Sequence, residues 1–194
     1  MYRVRGHRKG IVFTEFMEMV EDKFAPETLE QIIDQAGLPN DGAYTCRHLR
    51  PPGVSSPNES VRLMLGLSQE TKMPVARLVR EFGRHLFGRF ATLYALFFEG
   101  VNTAFAFLEA VDSHIHVKVR KLYPDAELPQ FESEKLGPEK LSLVYRSTRA
   151  LADLAEGLIL GCIEHFRENI ALAREDLSGG NGTCVRFVLT RSGG

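Results

Sequence analysis

The apolar positions in the first half of the chain recur at helical spacing. Phe13, Phe16, Met17, Val20 and Phe24 stand three and four apart, which predicts a first helix, and residues 26–37 predict a shorter second one closed by Gly37. From 37 to 57 glycine, proline, serine and asparagine break the period, leaving room for a short extended piece over residues 44–49. Two further helices are predicted over residues 58–70 and 74–90, the second carrying Val75, Leu78, Val79, Phe82 and Leu86 on one face. The clearest stripe is Phe105, Leu108, Val111, Ile115, Val119 and Leu122, which predicts one continuous helix over residues 101–122, stopped by Pro124.

Beyond Pro124 the pattern changes. Strand-like stretches are predicted over residues 128–133 and 141–148, then a helix over 151–166 and two closing strands. The last strand covers residues 183–191 and follows the turn Ser178-Gly179-Gly180-Asn181-Gly182. The expected class is therefore α+β: a helical N-terminal lobe packed on a C-terminal lobe with a small antiparallel sheet and a helix.

With 194 residues, 44% of them hydrophobic, the chain is long enough to bury a substantial core as one domain or two closely joined lobes. Its 24 basic residues balance 25 acidic ones, so no global field draws it to nucleic acid or to anionic lipid, and neither is expected as a partner. Arg3, Arg5, Arg8 and Lys9 resemble the start of a secretory signal, but Glu15 and Glu18 interrupt the apolar stretch behind them and no small-residue cleavage site follows. Residues 1–8 are read as a disordered basic tail and residues 9–191 as a single domain. No apolar run reaches membrane-spanning length, and three cysteines fit a reducing cytosol better than a disulfide framework, so a cytoplasmic protein is expected.

Candidate chemistry begins at Tyr145-Arg146-Ser147-Thr148-Arg149. In an extended segment Tyr145, Ser147 and Arg149 point to one side and present two hydroxyls beside a guanidinium, a set suited to carboxylate oxygens. Which carboxylate is left open by the residues alone. Upstream, His114 and His116 lie about 200° apart on a helix, so only one of them faces a buried site. His116 shares its side with Phe105 and Val119, whereas His114 lies with Lys118 and Lys121; local geometry leans to His116, against the alternative that both are ordinary, partly exposed histidines. Cys162, His165 and Cys184 raise the question of zinc, but structural zinc takes four ligands, and Cys162 continues the apolar stripe of Leu154 and Leu158 as a small buried hydrophobe.

His116, Tyr123-Pro124, Pro129 and Phe131, followed by Tyr145-x-Ser147-x-Arg149, resemble the haem nitric oxide/oxygen binding family, H-NOX, which includes the haem domain of the soluble guanylate cyclase beta subunit. Supporting blocks are Lys9-Gly10-Ile11-Val12-Phe13, Phe82-Gly83-Arg84 and Ala155-Glu156-Gly157-Leu158. The resemblance implies haem b (iron protoporphyrin IX) held noncovalently between the two lobes, with His116 as the proximal iron ligand. It casts Tyr145, Ser147 and Arg149 as the propionate-binding triad and Pro129 as the proline pressing on the porphyrin. In relatives with a cysteine and histidine cluster near the C-terminus, only Cys184 of this chain matches, with Arg174 and Leu177 at the other positions.

Oxygen-binding members of the family place a tyrosine five residues after the triad arginine, a tryptophan in the first helix and an asparagine in the mid-chain helix. The matching residues here are Leu154, Phe16 and Leu86, all apolar. A hydrogen bond to a charged group contributes roughly 1.5 to 3 kcal/mol, so its absence weakens oxygen binding by about one to two orders of magnitude, while nitric oxide needs no such donor. The resemblance therefore implies a sensor for nitric oxide and carbon monoxide that excludes oxygen and signals by loss of the His116–iron bond and relaxation of the haem. No fused output domain is expected, and the implied partner is a separate effector, a histidine kinase or a cyclic-di-GMP enzyme. The competing reading is a haem enzyme such as a peroxidase or nitric oxide dioxygenase, whose chemistry wants distal acid or base groups.

Overall fold

In the computed structural model of the chain, residues 11–24, 26–36, 57–122 and 127–192 are described. The basic tail, the extended piece expected over residues 44–49 and the stop at Pro124 lie outside the described residues. The described residues form seven α-helices and a four-stranded antiparallel sheet, the expected α+β class. They divide into two compact units that meet in sequence between Phe82 and Gly83.

The first unit is helical: α1 (Ile11–Lys23), α2 (Pro26–Gln35), α3 (Pro57–Thr71) and the first part of α4 (Val75–Leu93). The expected periodicity is what it buries. On α2, Leu29, Ile32 and Ile33 face inward while Glu27, Glu30 and Asp34 stay in water, and on α3 Leu63 and Leu67 are fully buried. Helix α3 passes close to α2 where it carries no side chain, a β-carbon on Gly66 lying 3.4 Å from that of Ile32. Arg62 Nη1 donates to the Ala36 carbonyl at 2.9 Å, satisfying an end of α2 that would otherwise lack a partner. Phe16 of α1 and Phe82 of α4 meet edge to face at 5.7 Å.

The second unit holds the rest of α4, a 3₁₀ turn (Ala95–Phe97), α5 (Ala104–Glu109), α6 (His116–Leu122), α7 (Ala152–Phe166) and the sheet. The strands are β1 (Gln130–Gly137), β2 (Lys140–Arg146), β3 (Ile170–Asp176) and β4 (Cys184–Arg191), in the order β1-β2-β4-β3. Central β4 alternates, burying Val185, Phe187 and Leu189, and Leu141, Leu143 and Tyr145 of β2 join them. Edge strand β1 is mostly exposed and carries Glu132, Glu134 and Lys135, which discourages pairing with another chain. The core adds Phe105, Phe107 and Leu108 of α5 and Ala155, Ile159 and Cys162 of α7.

The continuous helix expected over residues 101–122 is broken. Thr103 caps α5 by accepting from the Ala106 N–H at 3.2 Å, and between α5 and α6 stands a π-helical turn, Val111–Ile115. There the Ile115 N–H reaches the Ala110 carbonyl at 3.1 Å, five residues back, and the His116 N–H reaches that of Val111. The apolar stripe hides the break because Val111, Ile115 and Val119 are spaced by four, which suits a wide turn as well as an α turn.

Candidate functional site

His116 is the first residue after the π turn and is 8% exposed, whereas His114 is exposed and pairs its Nδ1 with Ser113 Oγ at 2.8 Å. The geometry therefore separates the two histidines as expected, His116 facing inward. His116 Nδ1 lies 3.1 Å from Asp112 Oδ1. Burial is the largest influence on the ring and lowers its pKa; the Asp112 hydrogen bond and charge oppose it, and Arg120 adds to the lowering. The net direction favours neutral imidazole, the form that ligates a metal.

On the sheet side His116 faces Phe131, ring centroids 6.0 Å apart, and Phe131 packs edge to face on Tyr145 at 5.7 Å. Phe131 and Tyr145 are register partners across β1 and β2. A continuous row of rings thus joins the buried histidine to the Tyr145-to-Arg149 segment.

The alternation expected of that segment stops at Arg146, where β2 ends. Tyr145 is held in the core at 1% exposure, and beyond Arg146 the chain bends through residues 148 and 149, so Ser147 and Arg149 leave the strand. The three residues converge by a turn instead. Tyr145 Oη donates to the Arg149 carbonyl at 3.0 Å, and the Arg149 N–H donates to Ser147 Oγ at 3.1 Å. The Ser147 N–H is tied to the Thr183 carbonyl at 2.9 Å. The Arg149 guanidinium is exposed, 2.6 Å from Glu127 Oε2. Beside the turn opens a cleft of about 410 Å³, bordered by Glu127, Leu128, Ser147, Thr148, Arg149 and Cys184. Pro129, half-buried, stands between two cleft residues, Leu128 and Gln130.

Phe16, Leu86 and Leu154 have their expected positions on helices. Phe16 is buried on α1 in the first unit. In the second unit Leu86 is buried on α4 and Leu154 half-buried on α7, beside a crossing of these two helices made at glycine. A β-carbon on Gly83 would come 2.6 Å from the Leu154 carbonyl oxygen and 2.9 Å from the Gly157 Cα.

The family described as Haem-NO-binding matches residues 9–174 of this sequence. The chain belongs to the H-NOX family. It is 33% identical to the Fe(II) unliganded H-NOX protein from K. algicida, covering 95% of this chain and 97% of that one at a TM-score of 0.80. The H-NOX from Shewanella woodyi, solved in the Fe(II)CO ligation state, is 36% identical over 95% of this chain and 94% of its own, with a TM-score of 0.77. At 22% identity the H-NOX protein from S. oneidensis in the Fe(II)NO ligation state shares the fold, TM-score 0.80, over 95% of this chain and 99% of that one. No curated protein matches the chain.

Within the H-NOX fold several features went beyond the sequence reading. The blocks around Gly83 and Gly157 are where α4 and α7 touch, a reason for glycine at Gly83 that periodicity does not reveal. Asp112 carried a legible signal, an acid one helical turn before His116; Glu127 carried none, because its pairing with Arg149 is made by the fold. Cys162 is fully buried, and Cys184 accepts from Arg146 Nη1 at 3.1 Å. Arg174 is bound by Asp153 and Glu156. Among the described residues no helix is long and apolar enough to cross a membrane.

Proposed function

We propose that this chain binds haem b and acts as a sensor of nitric oxide and carbon monoxide that excludes oxygen. The observation that carries the reading is His116: buried, hydrogen-bonded through Nδ1 to Asp112, and joined by Phe131 to the turn that presents Ser147 and Arg149. These residues fit the group. The imidazole keeps Nε2 for iron, while Arg149 and the Ser147 hydroxyl offer donors to propionate oxygens beside an open cleft. Haem, when bound, would supply a ferrous iron able to bind a diatomic gas.

In this reading His116 is the proximal ligand, Tyr145 fixes the turn that carries Arg149, and Pro129 bears on the porphyrin face. Phe16, Leu86 and Leu154 line the open side and offer no hydrogen-bond donor to a polar oxygen adduct, which is what favours nitric oxide and carbon monoxide. The K. algicida and S. woodyi relatives, described in Fe(II) unliganded and Fe(II)CO states, support a ferrous gas-binding site in this chain. Because α6 begins at His116, a His116 no longer held by the metal would leave α6 free to shift, which is the output this reading assigns to the chain. For that motion to signal, an effector must bind the two states with different affinity, and a histidine kinase or a cyclic-di-GMP enzyme is the class the family resemblance points to. Residues 9–191 act as one cytoplasmic sensor domain that is not itself an enzyme.

Absorption spectra of the purified ferrous protein test this. The Soret band should shift with nitric oxide and with carbon monoxide and stay in place under oxygen. A stable oxygen complex would overturn the gas assignment, and unchanged iron ligation in His116→Ala would overturn the ligand assignment.

A further inference from the structure

We infer that Asp112 is the positioning residue for His116, holding the ring by Nδ1 so that Nε2 is the nitrogen offered to iron and setting how readily His116 lets go. The inference rests on the reading of His116 as the iron ligand.

An ionised carboxylate only accepts hydrogen bonds, so at 3.1 Å from Asp112 Oδ1 the ring proton belongs on Nδ1. The tautomer and the aim of the ring are then fixed together, before any metal is present. The neighbouring histidine shows the contrast: His114 has a neutral hydroxyl as its Nδ1 partner and lies exposed. The surroundings of His116 assign the task to Asp112. The ring it meets from the sheet, Phe131, is uncharged, and Arg120 on α6 acts on it through charge. A carboxylate behind a ligating imidazole raises the ligand's basicity and strengthens its bond to the metal. It therefore resists the release that signalling requires.

The backbone adds a second consequence. Asp112 belongs to the π turn and His116 opens the α-helix that follows it. The hydrogen bond spans that change of pitch, so a shift of the wide turn into regular α pitch alters the carboxylate's place relative to the ring. Asp112 thus couples the ligand to the register of the helix in front of it.

The test uses Asp112→Asn, nearly isosteric, alongside Asp112→Ala, with Ser113→Ala as the neighbouring control. In the ferrous haem-loaded protein, resonance Raman should show the iron–imidazole stretch at lower frequency in both Asp112 variants. Nitric oxide should displace His116 faster in both. Nitrogen-15 spectra of the haem-free protein should show the Nδ1–H tautomer of His116 in the parent and in Ser113→Ala, and a mixture in the Asp112 variants. Haem affinity should fall about tenfold or more, as for other outer partners of metal ligands. An unchanged stretch and tautomer in Asp112→Asn would overturn the inference even if the alanine variant fails to fold. His116→Gly separates the two readings: its keeping the parental iron–imidazole band would sink the ligand assignment, whereas loss of that band with an unresponsive Asp112→Asn sinks only the role of Asp112.

Discussion

Gly83 and Gly157 touch backbone to backbone, a β-carbon on Gly83 falling 2.9 Å from the Gly157 Cα and 2.6 Å from the Leu154 carbonyl oxygen. Neither neighbour is a flexible side chain, so Gly83→Ala must push α4 and α7 apart and should cost about 1 to 3 kcal/mol. Gly88, farther along α4, has open space where its β-carbon would go, and Gly88→Ala should stabilise by about 0.5 to 1 kcal/mol through backbone entropy. Urea unfolding of the two variants checks the contrast; a harmless Gly83→Ala would mean the crossing tolerates separation.

Arg149 is engaged by Glu127 at 2.6 Å, with both side chains largely in water. Such a pair adds little to stability, but it holds the guanidinium proposed to grip the haem propionates. Glu127→Gln should raise haem affinity a few-fold and Arg149→Ala should lower it, both with unfolding midpoints near the parent's. Haem titration of the apoproteins measures this. Weaker binding in Glu127→Gln would mean that Glu127 assists the site rather than competing for Arg149.

Leu154 is half-buried on α7, at the position that the family resemblance aligns with the tyrosine of oxygen-binding members. Leu154→Tyr places a hydroxyl donor on the proposed gas side and should tighten oxygen binding by about one to two orders of magnitude. The ferrous spectrum in air reads the outcome, and no oxygen complex in this variant would remove Leu154 from the gas pocket.

The two described cysteines should differ in reactivity. Burial, with the Glu168 charge adding to it, pushes the Cys162 thiol well up from its ordinary range, whereas Cys184 borders the cleft beside Arg146. Timed alkylation of the native protein followed by mass spectrometry should find Cys184 modified long before Cys162.

Asp176 gathers the turn between β3 and β4. The Ser178 hydroxyl and the Ser178 N–H bind it, with the Gly182 N–H adding a further bond, and together they hold its carboxyl below the ordinary carboxylate range. A depressed folded-state pKa contributes stability that is present above the unfolded-state value and lost as pH falls through the folded one. Asp176→Asn should therefore lower the melting temperature at neutral pH, and the gap to the parent should close as the solution is acidified through the carboxylate range. A gap independent of pH would assign the effect to lost hydrogen-bond geometry rather than to charge.

Much of the fold was legible in the apolar pattern. The helices around Phe16, Ile32, Leu78 and Ile159 and the strands around Leu143 and Phe187 all form where the spacing put them, because burial of one face is what the spacing encodes. The site was legible only as a set of residues. Extended alternation placed Tyr145, Ser147 and Arg149 on one face, yet the structure gathers them by a turn after β2 ends, with Tyr145 in the core and Arg149 in water. The π turn before His116 stayed hidden, since residues spaced by four satisfy either pitch.

By itself, then, the sequence determined which side of each element is apolar and the family to which the chain belongs, and it leaned to His116 as the inward histidine. These rest on local periodicity and on residues that chemistry requires at given spacings. Only the tertiary structure decided that Phe131 joins His116 to Tyr145, that Glu127 engages Arg149, and that α4 and α7 meet at Gly83 and Gly157. Each is a contact between segments distant along the chain, set by how the elements pack, and hydrophobic spacing within one segment carries no information about the segment it will touch.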